Sequence, residues 1–450
     1  MKIKISLLGI LLISYFQVFS QVEFSGSLNL QGYYSNKEKL PFWFYSNQRG
    51  RVSEETNIAG WISGKMNYKV SNKASLEIGG GLLYQDDYLN KDYIDELYAD
   101  FKYSWLQVIV GRKQEPEVYN GLSATNENFA WSLNARPMPG IQIQTSKPVY
   151  LNENNKWGFE FSWEEYLMGN DRYVKGTRLH SKSLYLVYRP DDSWHLKGGI
   201  KHFAQWGGDS PNLGPQADGI EDYLRVITGR KGGEDANESD QINVAGSQLG
   251  TYELYVSRSF SGFNLKFIYN HFFEDGTGSR FANFPDGRYG VFLENMDKNG
   301  IIQNWIYEFF YTKNQSQNSS APHKNDYYFW NGIYRSGWTY QNRIIGLPFF
   351  DFNEDIPLIV GNKFIAHHTG VSGNLKFDGN YTMPYRFMAS FVKKEGTLSS
   401  EYKPHREEVY LKYEMDLINN PFNLKIILGS EYSNISKPVY GTGISLAKNF

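Results

Sequence analysis

The 450-residue chain has no cysteine. That excludes disulfide scaffolding, thiolate metal sites and a lipidated cysteine after a cleaved leader. It lacks any apolar run approaching the ~20 residues a membrane-spanning helix needs. An excess of one charge is missing as well, with 46 basic against 48 acidic residues, which points away from nucleic acid. Neither a Gly-x-Ser-x-Gly elbow, a His-Glu-x-x-His pair nor a phosphate-binding glycine loop opening a helix is present. No catalytic function and no cofactor are expected.

Aromatic residues, by contrast, are abundant: 34 Tyr, 30 Phe and 11 Trp make up 17% of the chain. Rings with an apolar body and a polar tip suit both interfaces of a membrane. At the amino terminus, Lys2 and Lys4 precede an apolar stretch from Ile5 to Phe16, and Val18 and Ser20 form a small-residue cleavage site. Residues 1–20 read as a secretory signal cut between Ser20 and Gln21, and 21–450 as a single domain. Losing Lys2 and Lys4 takes 46 basic residues to 44 against 48 acidic ones, a net charge of −4. The mean hydropathy of −0.52 resembles that of a soluble protein. A barrel with a wet interior and long loops averages the same.

Beyond residue 20 the apolar residues recur with a period of two. The final stretch sets Tyr440, Thr442, Ile444, Leu446, Lys448 and Phe450 on one face, with Gly441, Gly443, Ser445, Ala447 and Asn449 on the other. A period of two means strand. A last strand ending in Phe is how outer-membrane β-barrels commonly finish, and it predicts recognition by the barrel assembly machinery; Lys448 is the one departure. Eighteen segments fit: 22–34, 58–70, 74–85, 96–104, 105–111, 140–147, 157–164, 182–189, 194–203, 249–259, 263–273, 301–313, 327–335, 363–378, 381–395, 405–416, 422–433 and 440–450. Tight turns at 71–73, 190–193, 259–262, 378–380 and 417–421 carry turn chemistry. Long segments occupy 35–57, 112–139, 204–248, 274–300 and 336–362. With the first strand starting in the periplasm, all five turns fall there and all five long loops fall outside. The prediction is all-β: an antiparallel transmembrane barrel of about 18 strands in the outer membrane, in contact with its lipid. A soluble sandwich or propeller would show a compact repeat of ~40 residues, and none is found.

Faces follow from the alternation. Leu76, Ile78, Leu82 and Tyr84 are expected to face lipid, as are Val409, Leu411, Tyr413 and Met415, and Leu424, Ile426 and Leu428. Their neighbours Glu77, Lys412, Glu414, Lys425 and Glu431 then point into a polar lumen. The pair His367-His368 lies in a strand, so its imidazoles face opposite sides and make a poor metal site. Glu115, Glu117 and Glu127 share a loop and could form a carboxylate pair for glycoside cleavage, but such acids are also ordinary on a solvated loop. The loops read better as binding surface. The 112–139 loop carries Arg112, Lys113, Tyr119, Trp131 and Arg136. The 204–248 loop carries Trp206, Tyr223, Arg225 and Arg230, with a short helical turn over 220–228. Rings that stack on sugars, with cations that bind hydroxyls and carboxylates, suit an acidic polysaccharide. The competing reading is that these rings pack the loops over the mouth. Arg112, Lys113, Trp131, Arg136, Trp206, Arg225 and Arg230 are the glycan-binding candidates.

Several short segments, in this order, carry a further likeness. They include Gly111-Arg112-Lys113, Lys175-Gly176-Thr177, His180 to Leu184, Gln205-Trp206-Gly207-Gly208, Asp222 to Val226, Asn237 to Asn243, Ser336 to Tyr340 and Gly361-Asn362-Lys363. The chain resembles the Wzi capsule-assembly family, in its Bacteroidetes form, along essentially its whole mature length. The resemblance implies an 18-strand outer-membrane barrel that binds capsular or extracellular polysaccharide, lectin-like, and helps assemble or attach the capsule. Enterobacterial members carry an amino-terminal helical plug. Here a strand begins at Val22, so that plug is expected to be missing and the state of the lumen stays open. A diffusion porin is the alternative, and an outer-membrane glycan or lipid enzyme a third reading.

Overall fold

Backbone groups in lipid find no water, so a spanning sheet must close on itself to pair every strand edge. The computed structural model describes residues 22–87, 93–152, 154–234, 236–242, 244–320, 325–377 and 381–450. The signal expectation and the turn at 378–380 lie outside them. Eighteen antiparallel strands form the barrel. They are β1 (Val22–Ser35), β2 (Ile58–Lys69), β3 (Ala74–Gln85), β4 (Ile94–Tyr103), β5 (Leu106–Arg112), β6 (Gly140–Thr145), β7 (Trp157–Leu167), β8 (Arg178–Tyr188) and β9 (Trp194–Trp206). The second half is β10 (Ser247–Ser259), β11 (Phe263–Phe273), β12 (Gly287–Asn295), β13 (Asn304–Tyr311), β14 (Lys363–Lys376), β15 (Thr382–Gly396), β16 (Glu401–Ile418), β17 (Asn423–Ser433) and β18 (Ser436–Asn449). A two-residue strand, Val149–Tyr150, adds to β7. β1 closes against β18, with Leu30 opposite Leu446. Gly26 and Phe450 exchange backbone hydrogen bonds of 2.8 and 3.0 Å, so the terminal Phe helps complete the seam.

The expected faces hold. Glu408, Tyr410, Lys412 and Glu414 are buried inside the barrel, while Val409, Leu411, Tyr413 and Met415 alternate outward. Lumenal charges are paired: Lys412 to Glu414 at 2.8 Å, Arg386 to Glu414 at 2.7 Å, Lys113 to Asp100 at 2.5 Å. Exposed rings gather at both rims, Trp105, Trp157 and Phe450 at the short-turn end and Tyr34, Tyr84 and Tyr440 at the long-loop end.

Two expectations change. The segment 287–295, read as part of a loop, is strand β12, paired on both sides. Its inward positions include Gly290 and Phe292, which blurs the apolar–polar contrast. The aromatic run 327–335, read as a strand, belongs instead to the long extracellular connection between β13 and β14 and is partly enclosed. Tyr328, Phe329 and Tyr334 are almost fully enclosed. The two errors cancel in the count of 18. They also reverse the direction of β13 and move the 313–327 connection from the periplasmic to the extracellular end.

The lumen is not uniformly polar. Segments 36–57, 113–139 and 325–362 turn inward and pack together at the long-loop end. A short helix, α1 (Phe42–Tyr45), sends the Trp43 indole to donate to Ser390 Oγ at 3.1 Å. Trp338 Nε1 donates to Ala130 O at 2.6 Å, joining two of the segments. Phe129, Phe272, Phe310, Phe329, Trp338 and Phe349 belong to one buried cluster that spans wall and plug. Phe329 stacks on Phe350 at 4.1 Å and Phe129 meets Phe272 at 4.9 Å. Below this core a polar clamp holds the 113–139 segment. Arg288 on β12 and Glu308 on β13, both fully buried, pair at 2.6 Å. Arg288 Nη1 donates to Glu127 O at 2.6 Å, and Glu308 accepts from Ser123 Oγ at 2.9 Å and Ala124 N at 2.8 Å. Gly370 lets Leu122 sit directly on the wall, since a Cβ there would lie 2.8 Å from Leu122.

On a lipid-facing position near the bilayer midplane, Leu411→Arg or Ile426→Arg should cost about 2–4 kcal/mol. Lys65→Ala, which removes a half-exposed lumenal partner of Glu77, should cost about 1 kcal/mol or less. Urea titration of the barrel refolded in vesicles reads both; equal losses would mean the faces are misassigned. At the clamp, Arg288→Met strands the Glu308 charge and should cost about 3–5 kcal/mol. Adding Glu308→Leu should recover part of that loss, the remainder coming from the Ser123, Ala124 and Glu127 groups left unbonded. An undiminished loss in the double variant would show that the unpaired charge is not its source.

Candidate functional site

The plug leaves a large recess at the extracellular end, a cleft of about 1680 Å³. Its walls are the 36–55 segment, the 341–355 part of the plug and the ends of β15 to β18. Phe42, positioned by α1, stacks on Tyr410 at 4.1 Å and forms part of the floor. The Arg343 guanidinium lies 5.2 Å over the Tyr45 ring. Beside the cleft wall, Arg406 lies 3.9 Å over Tyr402. Lys394 is held between Asp351 at 2.6 Å and Glu408 at 3.0 Å, so its charge is compensated. Lys39 pairs with Glu54 at 2.8 Å, and that partner raises its pKa. Burial pushes the Glu354 carboxyl up, with Arg343 opposing the shift. Flat rings flanked by paired cations and carboxylates offer stacking faces and donors to polyhydroxylated ligands.

The sequence candidates separate into three groups. Lys113, Trp131 and Arg136 come together, but around a cavity of about 20 Å³, room for roughly one water. The Trp131 ring lies parallel to Phe203 at 5.9 Å, and Arg136 is buried with Nη2 donating to Ile94 O at 2.6 Å. Of the seven, Arg136 alone also lines the large cleft. Arg112 bonds Ile94 O at 2.9 Å. Trp206 is buried beside Tyr223 with Arg178 4.9 Å over its ring, while Arg225 and Arg230 lie on the surface of the 207–246 loop. Cleft residues such as Tyr45, Arg343, Lys394 and Arg406 were not singled out. They lie one at a time in segments whose approach to each other is a matter of tertiary structure; only the length of the 35–57 and 336–362 loops signalled a role.

The remaining candidates have local partners. Glu117 pairs with Arg386 at 3.2 Å and Glu127 with Lys197 at 3.7 Å. His368 is buried and bonds Ser390 Oγ and Leu122 O, each at 2.7 Å, while His367 faces outward beside Tyr307. Among the described residues no group of three His, Asp or Glu side chains could hold a metal ion.

Residues 27–369 match the family described as capsule assembly protein Wzi. Among solved structures the fold is similar to that of Wzi from Escherichia coli, an outer-membrane carbohydrate-binding β-barrel involved in group 1 capsule assembly. Identity is 13%, with 97% of this chain and 86% of that one covered and a TM-score of 0.58. Acinetobacter baumannii OccAB4 follows at 10% identity, covering 96% and 98%, with a TM-score of 0.50. Pseudomonas aeruginosa OccK10 stands at 9%, 96% and 99%, also with a TM-score of 0.50. No curated protein sequence matches the chain.

At the rim of the plug, carboxylates hold the 312–331 segment in place. Asp286 accepts from Gln315 N at 2.7 Å and from the Tyr328 hydroxyl at 2.6 Å; Asp326 accepts from Ser316 Oγ at 2.5 Å. Burial pushes Asp326 up to about 7 and Asp286 up to about 6. A folded-state carboxyl pKa above its unfolded value of ~4 binds extra protons when folded, so the segment is held most firmly in acid and loosens as pH rises. Proteolysis within 312–331 should therefore accelerate between about pH 4 and about 7. Asp326→Asn should flatten most of that dependence, and a rate that falls with pH would reverse the sign argued here.

Proposed function

Because this chain belongs to the capsule assembly protein Wzi family, we propose that it binds surface polysaccharide in the extracellular cleft, lectin-like, and helps assemble or attach the capsule at the outer membrane. The observation that carries this reading is the pairing of a packed lumen with a large open recess above it. A small-molecule pocket measures roughly 300–1,000 Å³; a cleft of about 1680 Å³ has room for several sugar units of one chain. The half-buried Tyr45 ring, with Arg343 over it and Arg406 along the wall, gives a stacking face and charge-assisted hydrogen bonds. The aromatic core that packs across the lumen argues against the porin alternative. Export by the leader at 1–20 and assembly through the strand ending in Phe450 complete the proposal, and no chemical step is assigned to the protein.

Arg343→Ala combined with Arg406→Ala should weaken binding of purified capsular polysaccharide while leaving the barrel folded. Each charge-assisted contact is worth about 1.5–3 kcal/mol, so a loss of at least about tenfold in affinity is expected. Trp206→Ala, which removes a packing ring, should lower stability without that loss. A wild-type barrel that binds no glycan in sedimentation or calorimetry, yet passes steady ion current in planar bilayers, would overturn the reading in favour of a channel.

A further inference from the structure

On the outer wall, positions that should face lipid are polar at one place. Near the extracellular ends of β7, β8 and β9, the side chains of Glu165, His180, Lys182 and His202 point outward, on the same faces as Trp163, Leu184 and Leu186 lower down. Charges on a lipid face cost free energy that rises from the interface towards the midplane. Here they are covered. The 207–246 loop folds back over the outside of the wall and places the helix α2 (Ile220–Ile227) across them. The Tyr223 hydroxyl donates to Glu165 and also accepts from Trp163 Nε1 at 3.2 Å. Lys182 donates to Ile227 O, and Gln248, bonded to His202 at 2.6 Å, donates to Val226 O at 3.3 Å. Trp206, Ala204, Val226 and Ala245 seal the contact with an apolar layer.

The helix is thus tied to the membrane side of the wall, and one of its flanks is exposed among the described residues. Ile220 and Leu224, one turn apart, are 73% and 53% exposed. The next flank round carries Glu221 and Arg225, with Arg230 and Lys231 exposed just beyond the helix. The bond to Trp163 joins the apolar flank to the exposed row of Trp163, Leu167, Leu184 and Leu186, which already faces lipid. An amphipathic helix with this layout lies in the interface plane, its apolar side ~5–10 Å into the acyl boundary.

We propose that α2 is an interfacial lipid-binding element, with Ile220 and Leu224 seated among the acyl chains of the outer leaflet and Arg225 turned to the headgroups. The inference is independent of glycan binding, and it puts two of the sequence candidates, Arg225 and Arg230, at the membrane border instead of in the cleft.

The cysteine-free chain allows a direct test. Single substitutions Ile220→Cys, Leu224→Cys, Glu221→Cys and Arg225→Cys in the full-length barrel are labelled with an environment-sensitive fluorophore and reconstituted in phosphatidylcholine–phosphatidylglycerol vesicles. Leu411→Cys serves as the lipid reference and confirms insertion. Probes at 220 and 224 should shift to the blue, lose emission to doxyl-labelled lipid and resist aqueous iodide, while those at 221 and 225 are quenched by iodide. Iodide quenching at all four positions overturns the proposal. So does protection at 220 and 224 without lipid quenching, as a second copy of the chain would produce.

Discussion

Eighteen strands enclose more space than their inward side chains can fill; eight is about the number whose own side chains suffice. The three inturned segments answer that geometric surplus, and much of the chain's composition follows from it. The aromatic content serves two solvents at once. One set of rings lies at the membrane rims, where a polar tip can reach water. Another set, from Phe272, Phe310 and Phe364 on the wall to Phe129, Phe329 and Phe349 on the loops, builds a conventional core inside the barrel. A buried ring removes 150–250 Å² from water, so this core is a substantial part of what keeps the loops inside.

Apolar packing alone would leave the inserted backbone groups unpaired, and the lower lumen supplies partners for them. Arg288 and Glu308 neutralise each other and also bond main-chain groups from Ala124 to Glu127, beside the Ser123 hydroxyl. His368 accepts the same task at Leu122. The result is a fixed floor under the cleft. Ligand-facing groups on such a floor lose less freedom on binding than groups on a free loop. The path from strand number to function therefore runs through the plug, because a wide barrel without it would be an open channel.

The lipid face was legible in the sequence because lipid imposes a strict period of two on it. At Leu411, Ile426 and Leu82 that constraint leaves no ambiguity, and most of the strands followed, although the count of 18 was reached through one missed and one false strand. Legibility ended where the surroundings stop being one-sided. The run Tyr327 to Tyr334 is rich in β-favouring residues but mixes enclosed rings at Tyr328, Phe329 and Tyr334 with an exposed Tyr327, so its composition carries no strand periodicity to read. β12 was obscured for the opposite reason, with Gly290 and Phe292 on its inner face. The cleft was the least readable part. Trp131 and Trp206 have the right chemistry for sugars but spend their ring faces on Phe203 and on Tyr223 with Arg178. Segments that carried the family likeness turn out to seat the plug. Gln205 donates to Gly337 O at 3.1 Å, Gly337 takes a left-handed φ of 66°, and Asn362 O accepts from Thr312 Oγ1 at 2.8 Å.

The outer wall shows the same logic in reverse. Alternation makes every outward residue a statement about what lies against it, so a polar outward residue at membrane height demands a cover. Glu165, His180, Lys182 and His202 are such residues, and the cover is the 207–246 loop. Its helix is then doubly constrained, since the face that shields the charges must be polar where it bonds and apolar where it seals. Tyr223 meets the first requirement and Val226 the second. The flank left over, at Ile220 and Leu224, answers to neither. An apolar flank kept beside the lipid-facing row of Leu184 and Leu186 extends the hydrophobic belt outward from the wall. The loop thereby replaces a stretch of wall that its own polar residues had made unfit for lipid.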